Sequence, residues 1–233
     1  MYADSFDRTA LLLGAEAMDR LQGASVCLFG VGGVGSWCAE ALVRSGVGQL
    51  TIVDSDCVDA TNINRQLPAT VATIGRPKVD VMRERLLQIN PDVDIVALCQ
   101  RYTADTAESF NLMQYNCVVD AIDSLQDKMN LILECTRKSD STLAFFSSMG
   151  AARKMDPTQV QVSEFWKVDG CPLAATLRKR MRRQLRFPER KFKCVWSAER
   201  CDEAQPNGTM MPVTATFGLV LASLVLQHLV RQR

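Results

Sequence analysis

The stretch LFGVGGVGSW, residues 28–37, places four glycines within six positions. They are Gly30, Gly32, Gly33 and Gly35. The stretch overlaps the short apolar run SVCLF, which is typical of a buried strand, and leads into SWCAEALVR, which is typical of a helix. Glycines between a strand and a helix allow a tight turn and the close approach of a phosphate, and the amides at the start of the helix favour its negative charge. The stretch therefore predicts the nucleotide-binding turn of a Rossmann-like fold.

On both sides of this turn, apolar runs alternate with helical patterns as far as residue 150. The pattern predicts strands at 25–29, 49–53, 94–98, 117–119 and 142–146, and helices at 10–22, 36–44, 78–89 and 128–137. Such alternation indicates an α/β fold with a doubly wound, mostly parallel sheet. We expect a nucleotide-binding domain over residues 1–150. Residues 151–233 are expected to form a C-terminal α+β extension that packs on the same sheet.

The extension ends in an apolar segment, VTATFGLVLASLVLQHLV, at residues 213–230. A membrane-spanning helix needs about 20 apolar residues, and this shorter segment contains five polar ones, so we expect a buried helix instead. Its His228 is the only histidine in the chain, and we expect it at the polar edge of that helix. Catalysis is therefore predicted to proceed without histidine. Before this segment, the pattern predicts a strand at 159–165, a helix at 173–186 and irregular structure over 187–207.

The charge of the chain is distributed unevenly, although its net value is only +1. Nine of the 27 Lys and Arg lie between Arg178 and Lys193, where Glu189 is the only acid, and the rest of the chain is acidic overall. A basic segment on an acidic body indicates a polyanionic partner, although a solvated helix face would have the same composition.

The nine cysteines include no CxxC pair, so a four-cysteine zinc site is not expected. The N-terminus, MYADSFDRTA, lacks the apolar core of a secretory leader. Scattered reduced thiols and a cytoplasmic location are therefore predicted. Three cysteines outside the predicted sheet are candidates for a reactive thiol, but we expect structural thiols at all three. They are Cys171, Cys194 and Cys201.

Polar residues after the second predicted strand indicate ATP as the nucleotide. Asp54 ends that strand, 24 residues after Gly30, where a carboxylate can accept hydrogen bonds from ribose hydroxyls. Arg65 and Lys78 follow, although surface ion pairing would also explain them. A dinucleotide needs little cationic help, whereas attack at the α-phosphorus of a triphosphate needs its developing charge neutralised. Residues 117–123 add two acids, Asp120 and Asp123; one of them would hold Mg²⁺, or both would cap the following helix.

Four motifs together resemble the ubiquitin-activating enzyme superfamily: GVGGVGS, VDSDCVDATNINRQ, GRPKVD and VVDAIDS. Three later motifs resemble one branch of it, the tRNA threonylcarbamoyladenosine dehydratases: MDPTQVQV, CVWSAE and PVTATFG. The resemblance implies ATP-dependent dehydration, with ring closure, of threonylcarbamoyladenosine in tRNA through an acyl-adenylate. The absence of paired CxxC motifs distinguishes the chain from the sulfur-carrier adenylating enzymes, which remain the alternative. A nicotinamide-dependent dehydrogenase and a non-catalytic nucleotide-sensing module that binds RNA are more distant alternatives.

The resemblance also implies roles for individual residues. Arg65, Lys78 and Arg8 are the expected catalytic residues, with Arg8 reaching the ATP of the partner in a homodimer. Mg²⁺ is expected at Asp123, and K⁺ or Na⁺ is a further candidate ion. The nucleic-acid partner is expected to be tRNA and not DNA, and a sulfur-transfer protein is a further candidate partner. The expected ATP-binding residues are Gly30, Gly32, Gly33, Gly35, Asp54, Asp56, Asn62, Arg65, Gln66 and Lys78. The expected tRNA-binding residues are Arg178, Lys179, Arg182, Arg183 and Arg186.

Overall fold

A seven-stranded sheet forms the centre of the computed structural model, which describes residues 3–140, 142–200 and 206–231. The strands are β1 (Ser25–Phe29), β2 (Gln49–Val53), β3 (Asp94–Leu98), β4 (Cys117–Asp120), β5 (Ala144–Ser148), β6 (Val160–Glu164) and β7 (Lys193–Ser197). Their order in the sheet is β3-β2-β1-β4-β5-β7-β6, and every neighbouring pair is parallel except β6 and β7. The predicted fold class is therefore confirmed.

Helices cover both faces of this sheet. Alternate residues of β1 point to opposite faces: Leu28 joins a core with α3, α4 and α7, and Phe29 joins a second core with α5 and α6. The sheet is thus doubly wound. The helices are α1 (Asp7–Leu13), α2 (Ala15–Gln22), α3 (Gly35–Arg44), α4 (Lys78–Ile89), α5 (Leu125–Cys135), α6 (Pro172–Gln184) and α7 (Met211–Arg231).

Two sequence predictions about secondary structure were wrong. The helix predicted over 10–22 is divided at Gly14, whose backbone φ of +82° is outside the helical range. The region 187–207 was expected to be irregular, yet it contains β7, which lies between β5 and β6. The buried apolar run of β7 is only the short stretch from Cys194 to Trp196, and charged residues lie on either side of it. The surrounding sheet therefore determines this strand more than its own pattern does.

The C-terminal helix α7 packs against α3, α2 and the sheet, as predicted for a buried helix. Val213, Phe217, Leu221 and Val225 are fully buried. The helix approaches α3 closely at Gly218, where a Cβ atom would overlap the Val34 carbonyl oxygen. By length and composition α7 could span a membrane, but over half of its apolar window is buried against the rest of the protein.

Candidate active site

A cavity of about 860 Å³ opens at the carboxyl ends of β1, β2 and β4. Strand β1 lies between β2 and β4. From β1 the chain adds β2 and β3 on one side and then returns to add β4 and β5 on the other, so the direction in which strands are added reverses at β1. Such a switch point is where open α/β sheets bind ligands, and the volume is in the range of small-molecule sites. The carboxyl end of β5 and the N-terminal ends of α6 and α7 complete the wall.

Glycine is required for different structural reasons at the four positions of the turn between β1 and α3. Gly30 has a φ of +88°, and a Cβ there would lie 2.6 Å from the Ala121 carbonyl oxygen. A Cβ on Gly35 would overlap the carbonyl oxygen of Gly30, so Gly35 is required for packing at the start of α3 and lies outside the cavity wall. Gly32 and Gly33 leave bare backbone facing the cavity. The turn therefore exposes main-chain atoms at the start of α3, where an anion is favoured.

Asp54 connects the glycine turn to the loop after β2. Its Oδ2 accepts a hydrogen bond from the Val31 amide at 2.7 Å, and its Oδ1 accepts one from the Asp56 amide at 2.9 Å. Burial raises the pKa of Asp54, and these amide bonds partly oppose the shift. Each carboxylate oxygen has a second lone pair, so the side chain can accept hydrogen bonds from ligand hydroxyls as well.

Lys78 and Asp56, both predicted ATP-binding residues, contact each other on the cavity wall. The Lys78 side chain is 7% exposed, and its Nζ lies 2.7 Å from Oδ2 of Asp56. Lys78 is the first residue of α4, so the main chain fixes its position. Because Asp56 is 65% exposed, its carboxylate can be displaced by a competing anion without being buried unpaired.

Arg65 and Gln66 line the same cavity beside the glycine turn, where a Cβ on Gly33 would lie 3.2 Å from Cγ of Arg65. The Nη1 of Arg65 donates to the Thr61 carbonyl at 2.9 Å, and Nε1 of Trp37 donates to the Arg65 carbonyl at 3.0 Å. Gln66 is buried, and its Oε1 has no hydrogen-bond partner among the described residues. A buried acceptor without a partner costs free energy, which indicates a ligand that donates a hydrogen bond to it.

Besides Gly35, two residues predicted to act at the ATP site lie outside the cavity wall, Asn62 and Arg8. The Asn62 side chain accepts a hydrogen bond from the Asp59 amide at 3.2 Å and so caps a short turn. Arg8 is exposed on α1 and does not contact this chain's own cavity.

The two acids after β4 have separate roles. Asp120 is fully buried: its Oδ2 lies 2.7 Å from Nζ of Lys128 and accepts a hydrogen bond from Ser147 at 2.6 Å. Its Oδ1 accepts a hydrogen bond from the Ile122 amide at 3.0 Å. Asp120 is therefore occupied by protein groups. Asp123 is exposed and faces the cavity, so of the two acids it is the one that a metal ion could reach.

Four charged residues of the cavity wall were missed by the sequence analysis: Arg101, Asp127, Arg153 and Lys154. Asp127 is buried and paired with Arg101, whose Nη2 lies 2.8 Å away. Lys154 is only 3% exposed, and its Nζ donates to the Glu199 carbonyl. None of these residues lies in a motif or at a sequence spacing that indicates a functional role. The single available signal is the position of Lys154, immediately before the MDPTQVQV motif.

Helix α6, which carries the first part of the basic segment, begins at the cavity and extends away from it. Pro172, Leu173 and Thr176 of α6 are part of the cavity wall. Arg178 is half-buried and donates to the carbonyls of Phe165 and Val168, which ties it to the fold. The other four predicted tRNA-binding residues are exposed to solvent. They are Lys179, Arg182, Arg183 and Arg186.

The candidate thiols are buried where the structure describes them. Cys171 is 3% exposed and Cys194 is fully buried. Burial raises the pKa of Cys194 well above its ordinary value, which disfavours the reactive thiolate. Cys201 lies outside the described residues. His228 lies on α7 beside Phe146, away from the cavity, with a pKa lowered by burial.

Comparison with known proteins identifies relatives along nearly the whole chain. The model of the ThiF family matches residues 6–232. The tRNA threonylcarbamoyladenosine dehydratase of Escherichia coli is 38% identical over 91% of this chain and 80% of its own length. The Haemophilus influenzae protein of the same name is 35% identical over 100% of this chain and 95% of its own length. The Bacillus subtilis protein of that name is 43% identical over 77% of this chain and 69% of its own length.

Solved structures agree with these matches. The crystal structure of the Escherichia coli dehydratase in complex with AMP superposes with a TM-score of 0.91 and 37% identity, covering 98% of this chain and 95% of that one. Its complex with ATP gives a TM-score of 0.90. The sulfur carrier protein adenylyltransferase of Thermus thermophilus, by contrast, matches only 52% of the chain. The chain therefore belongs to the ThiF family, and within it the tRNA threonylcarbamoyladenosine dehydratases are the relatives that match it along most of its length.

Proposed function

We propose that this protein catalyses the ATP-dependent dehydration and ring closure of threonylcarbamoyladenosine in tRNA. The observation that carries the proposal is the convergence of the glycine turn, Asp54, Arg65 and Lys78 on one cavity. Relatives bearing that function match the chain over most of its length, whereas the sulfur carrier relatives match little more than half of it.

The donor set of the cavity fits ATP. Gly32 and Gly33 offer uncovered backbone at the start of α3, Asp54 offers acceptors for ribose hydroxyls, and Gln66 offers a buried acceptor that lacks a partner. Lys78 exchanges Asp56 for a phosphate oxygen, and Arg65 neutralises charge on the same phosphates. These contacts hold the α-phosphorus and stabilise the charge that develops when it is attacked.

Asp123 is the proposed ligand for Mg²⁺. Among the described residues, no group of three or more His, Cys, Asp or Glu side chains is arranged to hold a metal ion. A single carboxylate fits Mg²⁺ nonetheless, because this ion is commonly held by one or two carboxylates together with substrate phosphates. Bound there, the ion would neutralise phosphate charge. K⁺ or Na⁺ is a further proposed ligand of the enzyme.

The proposed chemistry has two steps and needs no protein nucleophile. The threonyl carboxylate attacks the α-phosphorus of ATP, forming the acyl-adenylate and releasing pyrophosphate. The carbamoyl group of the same side chain then attacks the activated carbonyl, loses a proton and expels AMP as the ring closes. The second step gains from proximity because both groups belong to one nucleoside. The buried thiols and the distant His228 are consistent with this route.

The assembly around the site is part of the proposal. The exposed α6 residues Lys179, Arg182, Arg183 and Arg186 would contact tRNA phosphates, with Arg178 fixing the helix. A homodimer would let the exposed Arg8 on α1 reach the partner's ATP. We further propose a cytoplasmic location and a sulfur-transfer protein as an additional partner.

The test is incubation with ATP, Mg²⁺ and tRNA that carries threonylcarbamoyladenosine, followed by digestion and mass spectrometry of the nucleosides. The expected result is a modified nucleoside lighter by one water, together with AMP. Arg65→Ala and Lys78→Ala should abolish AMP formation while leaving the fold intact. Arg76→Ala is a matched control, because Arg76 is a cation two residues from Lys78 that pairs with Glu84 at the surface. An unchanged nucleoside with an active ATP-binding preparation would contradict the proposal.

A further inference from the structure

An exposed aromatic pair lies on the surface near the C-terminal half of α6. Trp166 is 39% exposed and Phe187 is 45% exposed, with their ring centroids 6.3 Å apart. Leu185 follows the end of α6 and is 81% exposed. Large apolar side chains grouped in this way on a surface mark an interaction site more often than scattered ones do.

One cation contacts this aromatic pair, and others lie on the helix that carries it. The Arg182 guanidinium carbon lies 5.8 Å from the centre of the Trp166 ring, within the range of a cation–π contact. Lys179, Arg183 and Arg186 are exposed on the same helix or directly after it. We call Trp166, Arg182, Leu185 and Phe187 the aromatic-basic patch. Its charge complements a polyanion and disfavours a basic partner.

Helix α6 connects the patch to the cavity. Thr176 is part of the cavity wall, and Arg182 is six residues further along the helix, about 9 Å at the usual rise per residue. A chain of nucleotides that places one base in the cavity therefore has its neighbours within reach of the patch.

We propose that the aromatic-basic patch stacks on an unpaired base that flanks the modified adenosine of the tRNA. The inference rests on the proposed function and extends it, because phosphate contacts alone would not distinguish a loop from a duplex. Aromatic side chains beside cations bind single-stranded nucleic acid in this way: the ring stacks on the base and the cation holds the backbone. The bases of a duplex are already stacked on each other and cannot also stack on the Trp166 ring.

The test measures affinity for two RNAs at one fixed salt concentration. One is an anticodon stem-loop that carries threonylcarbamoyladenosine, and the other is a fully paired duplex of the same stem. Trp166→Ala should weaken binding of the stem-loop roughly 5- to 100-fold and leave duplex binding unchanged. Trp166→Phe, which keeps a stacking face, should bind within a few-fold of the unaltered protein. Met113→Ala is the control, because Met113 is an apolar side chain with a similar exposure, 47%.

The outcomes separate this inference from the proposed function. If Trp166→Ala binds the stem-loop as tightly as the unaltered protein, or if Trp166→Phe binds as weakly as Trp166→Ala, stacking is overturned while the dehydration assay can still succeed. A loss for Met113→Ala equal to that for Trp166→Ala would also overturn it. If the unaltered protein binds neither RNA and forms no dehydrated nucleoside, both proposals fail. In the dehydration assay, Trp166→Ala should have the kcat of the unaltered protein and a raised KM for tRNA.

Discussion

Replacement of Lys128 by methionine should destabilise the protein severely. The Lys128 and Asp120 side chains are both fully buried, with Nζ and Oδ2 2.7 Å apart. Methionine has a similar length but no charge, so the Asp120 carboxylate would be left with only the hydrogen bonds from Ser147 and the Ile122 amide. Breaking a buried pair from one side costs about 3–5 kcal/mol, because a charge remains uncompensated away from water. For a protein of this size the loss corresponds to a fall in Tm of about 6–20 °C.

Urea unfolding at neutral pH, followed by circular dichroism, measures this loss directly. The double variant Asp120→Asn, Lys128→Met removes both charges. Its amide oxygen can still accept from the Ile122 amide, and its Nδ2 can donate to the Ser147 hydroxyl, which reverses the direction of that hydrogen bond. The free energy of unfolding of this double variant should therefore lie within about 1–2 kcal/mol of that of the unaltered protein. Arg76→Met is the surface control; it breaks a half-exposed pair with Glu84 and should cost less than about 1 kcal/mol. A loss below about 1 kcal/mol for Lys128→Met, or a double variant no more stable than the single one, would refute the reasoning.

Three further predictions follow from charges in the structure. Lys78→Met should weaken ATP binding about 10- to 100-fold, measured by calorimetry, because a charge-assisted contact to phosphate is lost; unchanged affinity would exclude that contact. Burial alone would raise the pKa of Glu40, but hydrogen bonds from Arg85 and Arg44 outweigh it and lower the pKa below 4.5. The pairing of ionised Glu40 with these arginines therefore stabilises the fold above pH 4.5, and this stabilisation is lost as the pH falls through the lowered pKa. Glu40→Gln should make the free energy of unfolding fall less steeply with decreasing pH in that range, and an unchanged dependence on pH would contradict this. Arg183→Gln should reduce the slope of log affinity for tRNA against log salt by about 1, and an unchanged slope would remove Arg183 from the phosphate contacts.

Much of the cavity wall could be predicted from the sequence because it is built from local signals. The glycine turn, Asp54 at the end of a strand and Lys78 at the start of a helix each lie where a short motif places them. Parallel strands bring their carboxyl ends to one edge, so residues that end β1, β2 and β4 meet there even though they are far apart in sequence.

The rest of the site depends on contacts that no local pattern encodes. The residue pattern alone left both Asp120 and Asp123 as candidates for the metal, and only the family resemblance favoured Asp123; the fold brings Lys128 and Ser147 against Asp120. Lys154 became a residue of the cavity wall because its segment packs beside Glu199, 45 residues later. Trp166 and Phe187 likewise come from separate segments on either side of α6.

The alternation of apolar and helical segments, the glycine turn that lines the cavity and the basic character of α6 can all be read from the chain without its fold. They follow from the composition and hydrophobic periodicity of short segments. The pairing of Asp120 with Lys128, the place of β7 in the sheet and the side chains that complete the cavity wall are fixed only by the folded arrangement. Those outcomes depend on burial and on charges brought together from distant segments, and the free energy of such contacts exists only once the chain has folded.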